Sequence, residues 1–207
     1  MTYSPKEELA NSLTHGIGVL ALLVAVPLLI SWTVVQGSVA QIWGVCIFGF
    51  SMLLLYTSST LYHSITEPGL KKTFRLIDHI SIFFLIGGSY TPFMLTFLNN
   101  QTGYTVLAAV WGLAVIGIVY KLFFIGKNKW FGISLYLVMG WLVVFVGDDI
   151  VRQMSGTALI WLIAGGLSYT VGVFFYRKKT MPFHHAIWHI FVLGGTISHY
   201  VALLLSI

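Results

Sequence analysis

Cysteine is nearly absent. Cys46 is the single thiol, so no disulfide can form within the chain and no thiolate cage can enclose a metal. Charge is equally scarce: Asp, Glu, Lys and Arg make up 8% of the sequence, against about 25% in an ordinary soluble domain. So few charges cannot coat a globule of this size in water. Low charge combined with high hydrophobicity also excludes a disordered chain. There is no Gly-X-Y period and no charged heptad, which removes collagen-like and coiled-coil architectures. What the 207 residues do contain is 57% hydrophobic and 15% aromatic side chains, with a mean hydropathy of +0.90. That composition implies an integral membrane protein built of helices.

A membrane helix needs roughly 20 mostly apolar residues. Seven such runs occur, at about 13–35, 42–63, 74–98, 104–124, 130–146, 158–176 and 185–205. They imply an all-α, polytopic membrane protein, with seven transmembrane helices forming a single domain over residues 1–207. The connections left between them are short, so neighbouring helices run antiparallel. The first run reads as a retained span: it is too long for a leader, lacks an A-x-A site and is flanked by Lys6, Glu7 and Glu8 rather than a basic cluster.

Basic residues orient the chain. With a cytoplasmic N-terminus, the inner segments hold Lys6, Lys71, Lys72, Arg75, Lys121, Lys127, Lys129, Arg177, Lys178 and Lys179, and the outer segments hold only Arg152. The C-terminus then lies outside, and the expected location is the inner (plasma) membrane, crossed several times. The acidic pair Asp148 and Asp149 falls in an outer connection. The net charge of +5 is thereby a topology signal, and no nucleic-acid partner is expected. Residues 177–179 are also placed to touch anionic headgroups. The pairs Gly87-Gly88, Gly165-Gly166 and Gly194-Gly195 read as close-approach points between helices. Pro27 and Pro92 read as kinks, and Trp and Tyr as interface belts.

An ionisable side chain inside a span is costly unless paired and is a functional hypothesis by default. The sequence offers His15, His63, Asp78, His79, His184, His185, His189 and His199. His63 lies in the last, cytoplasmic turn of the second span, and Asp78 about one turn into the third. His185 and His189 occupy the first two turns of the seventh, so four residues from three helices share one depth. The i,i+4 spacing of His185 and His189 puts both rings on one helix face. Ser59 stands one turn deeper than His63 on the same face.

Three neutral imidazoles, His63, His185 and His189, form a candidate zinc tripod with a fourth position open, the pattern of catalytic rather than structural zinc. No H-E-x-x-H motif is present, since Ala186 stands where Glu would be. A base must therefore come from another helix, and Asp78 is the deep carboxylate available. Ser59 can hydrogen-bond the water or a developing oxyanion. Two other readings stay open: histidines hydrogen-bonded between packed helices, and a proton relay. His199 sits ~15 Å along the helix from His189, beyond a shared coordination shell. His79 and His184 read as structural and headgroup-level residues respectively. His15 can either pack or face the site.

The segments Ser58-Ser59-Thr60-Leu61-Tyr62-His63, Asp78-His79-Ile80-Ser81 running on to Gly88-Ser89-Tyr90-Thr91-Pro92-Phe93, and His184-His185-Ala186-Ile187-Trp188-His189-Ile190-Phe191-Val192 resemble the three signature blocks of the progestin and adipoQ receptor (PAQR) family. The opening Glu8-Leu9-Ala10-Asn11-Ser12-Leu13-Thr14-His15-Gly16 resembles the start of its bacterial hemolysin-III-like branch. The resemblance implies seven helices with an inward N-terminus, opposite to G-protein-coupled receptors. It implies zinc held by His63, His185 and His189, with Asp78 and Ser59 around the water at the ion. Eukaryotic relatives look like zinc-dependent lipid amide hydrolases of ceramidase type, while bacterial members carry a hemolysin label and a link to membrane homeostasis. Three functions are therefore in contention: a zinc-dependent hydrolase of a membrane lipid amide or ester, a non-enzymatic regulator of membrane fluidity or energetics, and a pore or transporter. Membrane lipid is the expected partner in the first two.

Overall fold

The computed structural model describes residues 3–124 and 129–207; Lys127, one of the basic residues used for orientation, lies outside them. The described residues contain helices and no strands. They are α1 (Pro5–Gln36), α2 (Val39–Ser64), α3 (Pro68–Phe97), α4 (Gln101–Phe124), α5 (Lys129–Trp141), a 3₁₀ segment (Leu142–Val146), α6 (Gly147–Gln153), α7 (Gly156–Arg177) and α8 (His184–Leu204). Seven segments are long and apolar enough to cross a membrane; the fifth, Trp130–Gln153, joins α5, the 3₁₀ segment and α6.

The starts of the helices follow from local chemistry. Ser4 caps α1 through a reciprocal pair of bonds with Glu7, and Pro5 sits where its missing N–H costs nothing. Ser38 and Gln41 repeat the device on α2. Glu67 caps α3, accepting from the N–H groups of Gly69 and Leu70, and these two bonds hold its carboxyl below the usual carboxylate range. The longer helices α1 and α3 both run through their prolines, Pro27 and Pro92.

The main packing runs α1 on α2, α2 on α3 and α7 on α8, and α1 also meets α8. In α1 the interior face carries Asn11, His15, Gly18, Leu22, Val26 and Leu29. The opposite face exposes Leu9, Leu13, Ile17, Leu20, Val24 and Leu28, the outward hydrophobicity expected against lipid. Small residues permit the closest approaches: a Cβ on Gly44 would lie 2.7 Å from the Pro92 Cα, backbone that cannot yield. Of the paired glycines, Gly165 packs against the His199 ring, whereas Gly166 has nothing within 4 Å and instead lines a cavity. The aromatic belt is likewise incomplete, because Tyr56 is 1% exposed and packed in the core.

The fifth segment departs from the sequence expectation. Rather than ending near Val146, it breaks into the 3₁₀ segment and resumes as α6, so Asp148 and Asp149 lie in the first turn of a short helix. Tyr90 of α3 bridges the break: its hydroxyl donates to the Gly140 carbonyl at 2.9 Å and accepts from the Val143 N–H at 2.8 Å. Backbone that leaves the α-helical hydrogen-bond ladder inside a span requires such partners. Tyr90→Phe removes both at once, and the expected cost is about 1–3 kcal/mol, read as a lower Tm in detergent. An unchanged Tm would show that the break needs no latch.

Candidate metal centre

One end of the bundle holds most of the buried histidines, with Asn11, Ser59 and Asp78. α1 and α3 begin there and α2 ends there, while α8 starts there after a left-handed residue, Phe183 (φ 56°), whose N–H donates to Glu7 at 3.3 Å. His63, His185 and His189 meet at this end. One ligand nitrogen from each lies within 4.8 Å of the other two, and ring centroids stand 5.0, 5.4 and 4.5 Å apart for the pairs 63–185, 63–189 and 185–189.

Hydrogen bonding fixes which nitrogens face inward. The His63 Nδ1–H donates to Glu8 Oε2 at 2.6 Å. The His189 Nδ1–H donates to the Asn11 carbonyl at 3.1 Å, with the Thr14 hydroxyl at 3.0 Å. In both rings Nε2 is buried without a hydrogen-bond partner, and both nitrogens of His185 are likewise unpartnered. Buried polar atoms are normally paired. Three converging imidazole lone pairs satisfy that rule once a cation that accepts nitrogen ligands binds among them, so the donor set fits a metal ion. These residues can hold one.

Asp78 is 2% exposed and stands outside the group of three. Its Oδ1 has no hydrogen-bond partner, and its Oδ2 lies 3.5 Å from His79 Nδ1. The fully buried Ser59 hydroxyl lies beside the Asp78 carboxyl without regular hydrogen-bond geometry to any partner. Both thus keep hydrogen-bonding capacity inside the bundle. His79 turns aside and donates from Nδ1 to the Arg75 carbonyl at 2.6 Å, as a structural residue does. His184, the first residue of α8, is 5% exposed and packs near the ring of Tyr3. His15 does face the site, stacked on His189 with centroids 3.7 Å apart. His199 lies far along α8, between the rings of Phe93 and Tyr169.

Sequence reasoning raised His15 of α1 but missed Glu8 and Asn11. Glu8, Asn11 and His15 recur at i, i+3 and i+7 among the polar residues that open α1, the spacing of one helix face. That stripe was the available signal. Tyr3 was missed as well: its ring stands 5.7 Å from His63 and 5.1 Å from His185, covering the group. Burial there pushes its phenol well above the ordinary tyrosine value.

Next to this centre lies an apolar cavity of about 130 Å³, walled by α3, α5, α7 and α8 with Leu55 of α2. It adjoins a second of about 240 Å³, the two sharing Ser89, Tyr90, Gly140, Trp141, Gly166 and His199. Gly140 and Trp141 are exposed, so the hollow reaches the outer surface of the bundle. Tyr176 and Trp188 form its wall nearest the histidines; the Trp188 ring lies 5.0 Å from His185 and 5.1 Å from His189.

No solved structure matches the chain significantly. Among curated proteins it is 46% identical over 202 residues to the Hemolysin-3 homolog of Bacillus subtilis (strain 168), covering 98% of this chain and 95% of that protein. It is 41% identical over 196 residues to Hemolysin-3 of Bacillus cereus, covering 95% and 90%. A more distant relative is the human Monocyte to macrophage differentiation factor, 30% identical over 164 residues, or 76% of this chain and 67% of that protein. The family described as Haemolysin-III related matches residues 3–200. With nearly every residue inside that match, the chain, a seven-span bundle with three histidines gathered at one end, is a member of the haemolysin-III-related family of multi-pass membrane proteins.

Proposed function

We propose that this protein is a zinc-dependent hydrolase that cleaves an amide or ester bond of a membrane lipid, with a role in membrane homeostasis. The observation that carries the reading is the set of three buried imidazoles whose Nε2 atoms, or either nitrogen for His185, have no partner of their own. Three histidines without thiolates are a zinc-type donor set that leaves a coordination position open. When bound, the ion supplies Lewis-acid chemistry, polarising a carbonyl and making a water more acidic.

The chain's own residues supply the rest. The apolar cavity would receive an acyl chain from the bilayer; Tyr176 and Trp188, which wall it and contact His185, mark the side on which the lipid's head would meet the histidines. Asp78 takes the proton lost by the attacking water and returns it to the departing amine or alcohol. Ser59 donates a hydrogen bond to the carbonyl oxygen as negative charge gathers there. The distribution of Lys and Arg supports a plasma-membrane orientation with the centre at the cytoplasmic leaflet. The cavity walls are mostly aliphatic and aromatic, which argues against a polar conduction path.

The test is release of fatty acid from N-acyl and ester lipids in mixed micelles by purified protein. Turnover should disappear on zinc removal and return on zinc addition while the protein stays folded. Equal release with and without zinc, or none from either lipid class, overturns the proposal. The latter result, joined to dye leakage from liposomes, would favour the membrane-damaging action that the Bacillus relatives' name denotes.

A further inference from the structure

The metal reading leaves one carboxylate unexplained. Glu7 and Glu8 both sit in the first turn of α1, where acidic side chains suit the helix dipole. Glu7 completes the cap on Ser4. Glu8 makes no capping bond; both of its oxygens go elsewhere. Oε2 accepts from His63 at 2.6 Å, and Oε1 pairs with Lys71 Nζ at 3.0 Å. Lys71 is itself anchored, donating to the carbonyls of Tyr62 and Ile65 at 3.0 and 3.1 Å, at the end of α2. The carboxylate is thus held from one side by a lysine tied to α2 and grips the back of a ring that α2 carries.

We propose that Glu8 is the positioning residue of the metal centre, fixing the tautomer and direction of the His63 ring so that Nε2 faces His185 and His189. The Asn11 carbonyl and the Thr14 hydroxyl do the same for His189 one turn deeper. The first turns of α1, which contribute none of the three imidazoles, therefore form the outer support of the site. A carboxylate behind a ligating histidine both orients the ring and raises its basicity. The inference rests on the reading that the three histidines hold a metal ion.

The experiment is zinc affinity of the purified full chain, measured by competition with a chromophoric chelator, together with the visible spectrum of the cobalt-substituted protein. Glu8→Ala is expected to weaken zinc binding by roughly 10–100-fold and to alter the cobalt bands even at saturating metal. Glu8→Gln, which keeps an accepting oxygen but no charge, should fall between Ala and native. Lys71→Met leaves the Glu8–His63 bond in place and should lose less than Glu8→Ala. Glu8→Ala binding zinc within twofold of native overturns the proposal. So does Lys71→Met losing as much, because the effect would then lie in the packing of the bundle end. If the native chain takes up no zinc in the same titration, the metal reading itself fails and this inference falls with it.

Discussion

His189→Ala is expected to leave the purified protein with almost no zinc, where the native chain carries about one ion. His189 is the most enclosed member of the group: it is fully buried, its ring lies 5.4 and 4.5 Å from the other two imidazoles, and its Nδ1 is held by α1, so Nε2 has a single direction. Removing it leaves two ligands on different helices and deletes a full ligand, so the loss should exceed the roughly 10–100-fold that changes behind a ligand cost. The ring is also stacked on His15, and a loss of packing must be told apart from a loss of coordination. His15→Ala provides that comparison: it removes the same stacking contact but no member of the group, and should retain zinc. Elemental analysis of the three proteins, with helical content checked by circular dichroism, decides. Zinc retained in His189→Ala, or lost equally in His15→Ala, would remove the centre as drawn.

Asp78→Asn is expected to keep the metal and lose the reaction, with kcat for lipid hydrolysis falling roughly 10²–10⁴-fold, the range contributed by a positioned general acid or base. Asn matches Asp in volume, so the interior of α3 is undisturbed. It cannot take a proton, and that separates proton transfer from packing. The residue suits the role because it is enclosed, with one oxygen unpartnered, and lies outside the three-histidine group. Fatty-acid release within tenfold of native, in protein holding a full complement of zinc, would assign the proton transfer elsewhere.

Most of the helical framework was legible in the sequence because hydrocarbon imposes a harsh condition: runs of about 20 apolar residues have few alternatives to a spanning helix. The alternation of seven such runs then brought His63, Asp78, His185 and His189 to one depth, and in the structure the three imidazoles meet. Two features escaped for different reasons. The fifth apolar run reads as ending near Val146, with Asp148 and Asp149 in an outer connection. The break at residues 142–146 depends on a hydroxyl from α3, a tertiary partner invisible to local pattern. Glu8 escaped because it sits beside Glu7 at a helix start, where both fit the dipole equally well; only a rotation of about 100° per residue sends one to the cap and the other to the interior. Tyr3 precedes any periodic pattern, so nothing local could assign it.

The bond between Thr14 and His189 joins residues 175 positions apart. At ordinary synthesis rates of 5–20 residues per second, roughly 10–35 s separate the emergence of the two from the ribosome. During that interval Glu8, Asn11 and His15 enter the bilayer facing no partner, and the first helix must wait for the last. Such distant pairing is slow to form. The group of three imidazoles is therefore completed only when the last helix arrives, and a nascent chain halted before α8 carries His63 alone of the three.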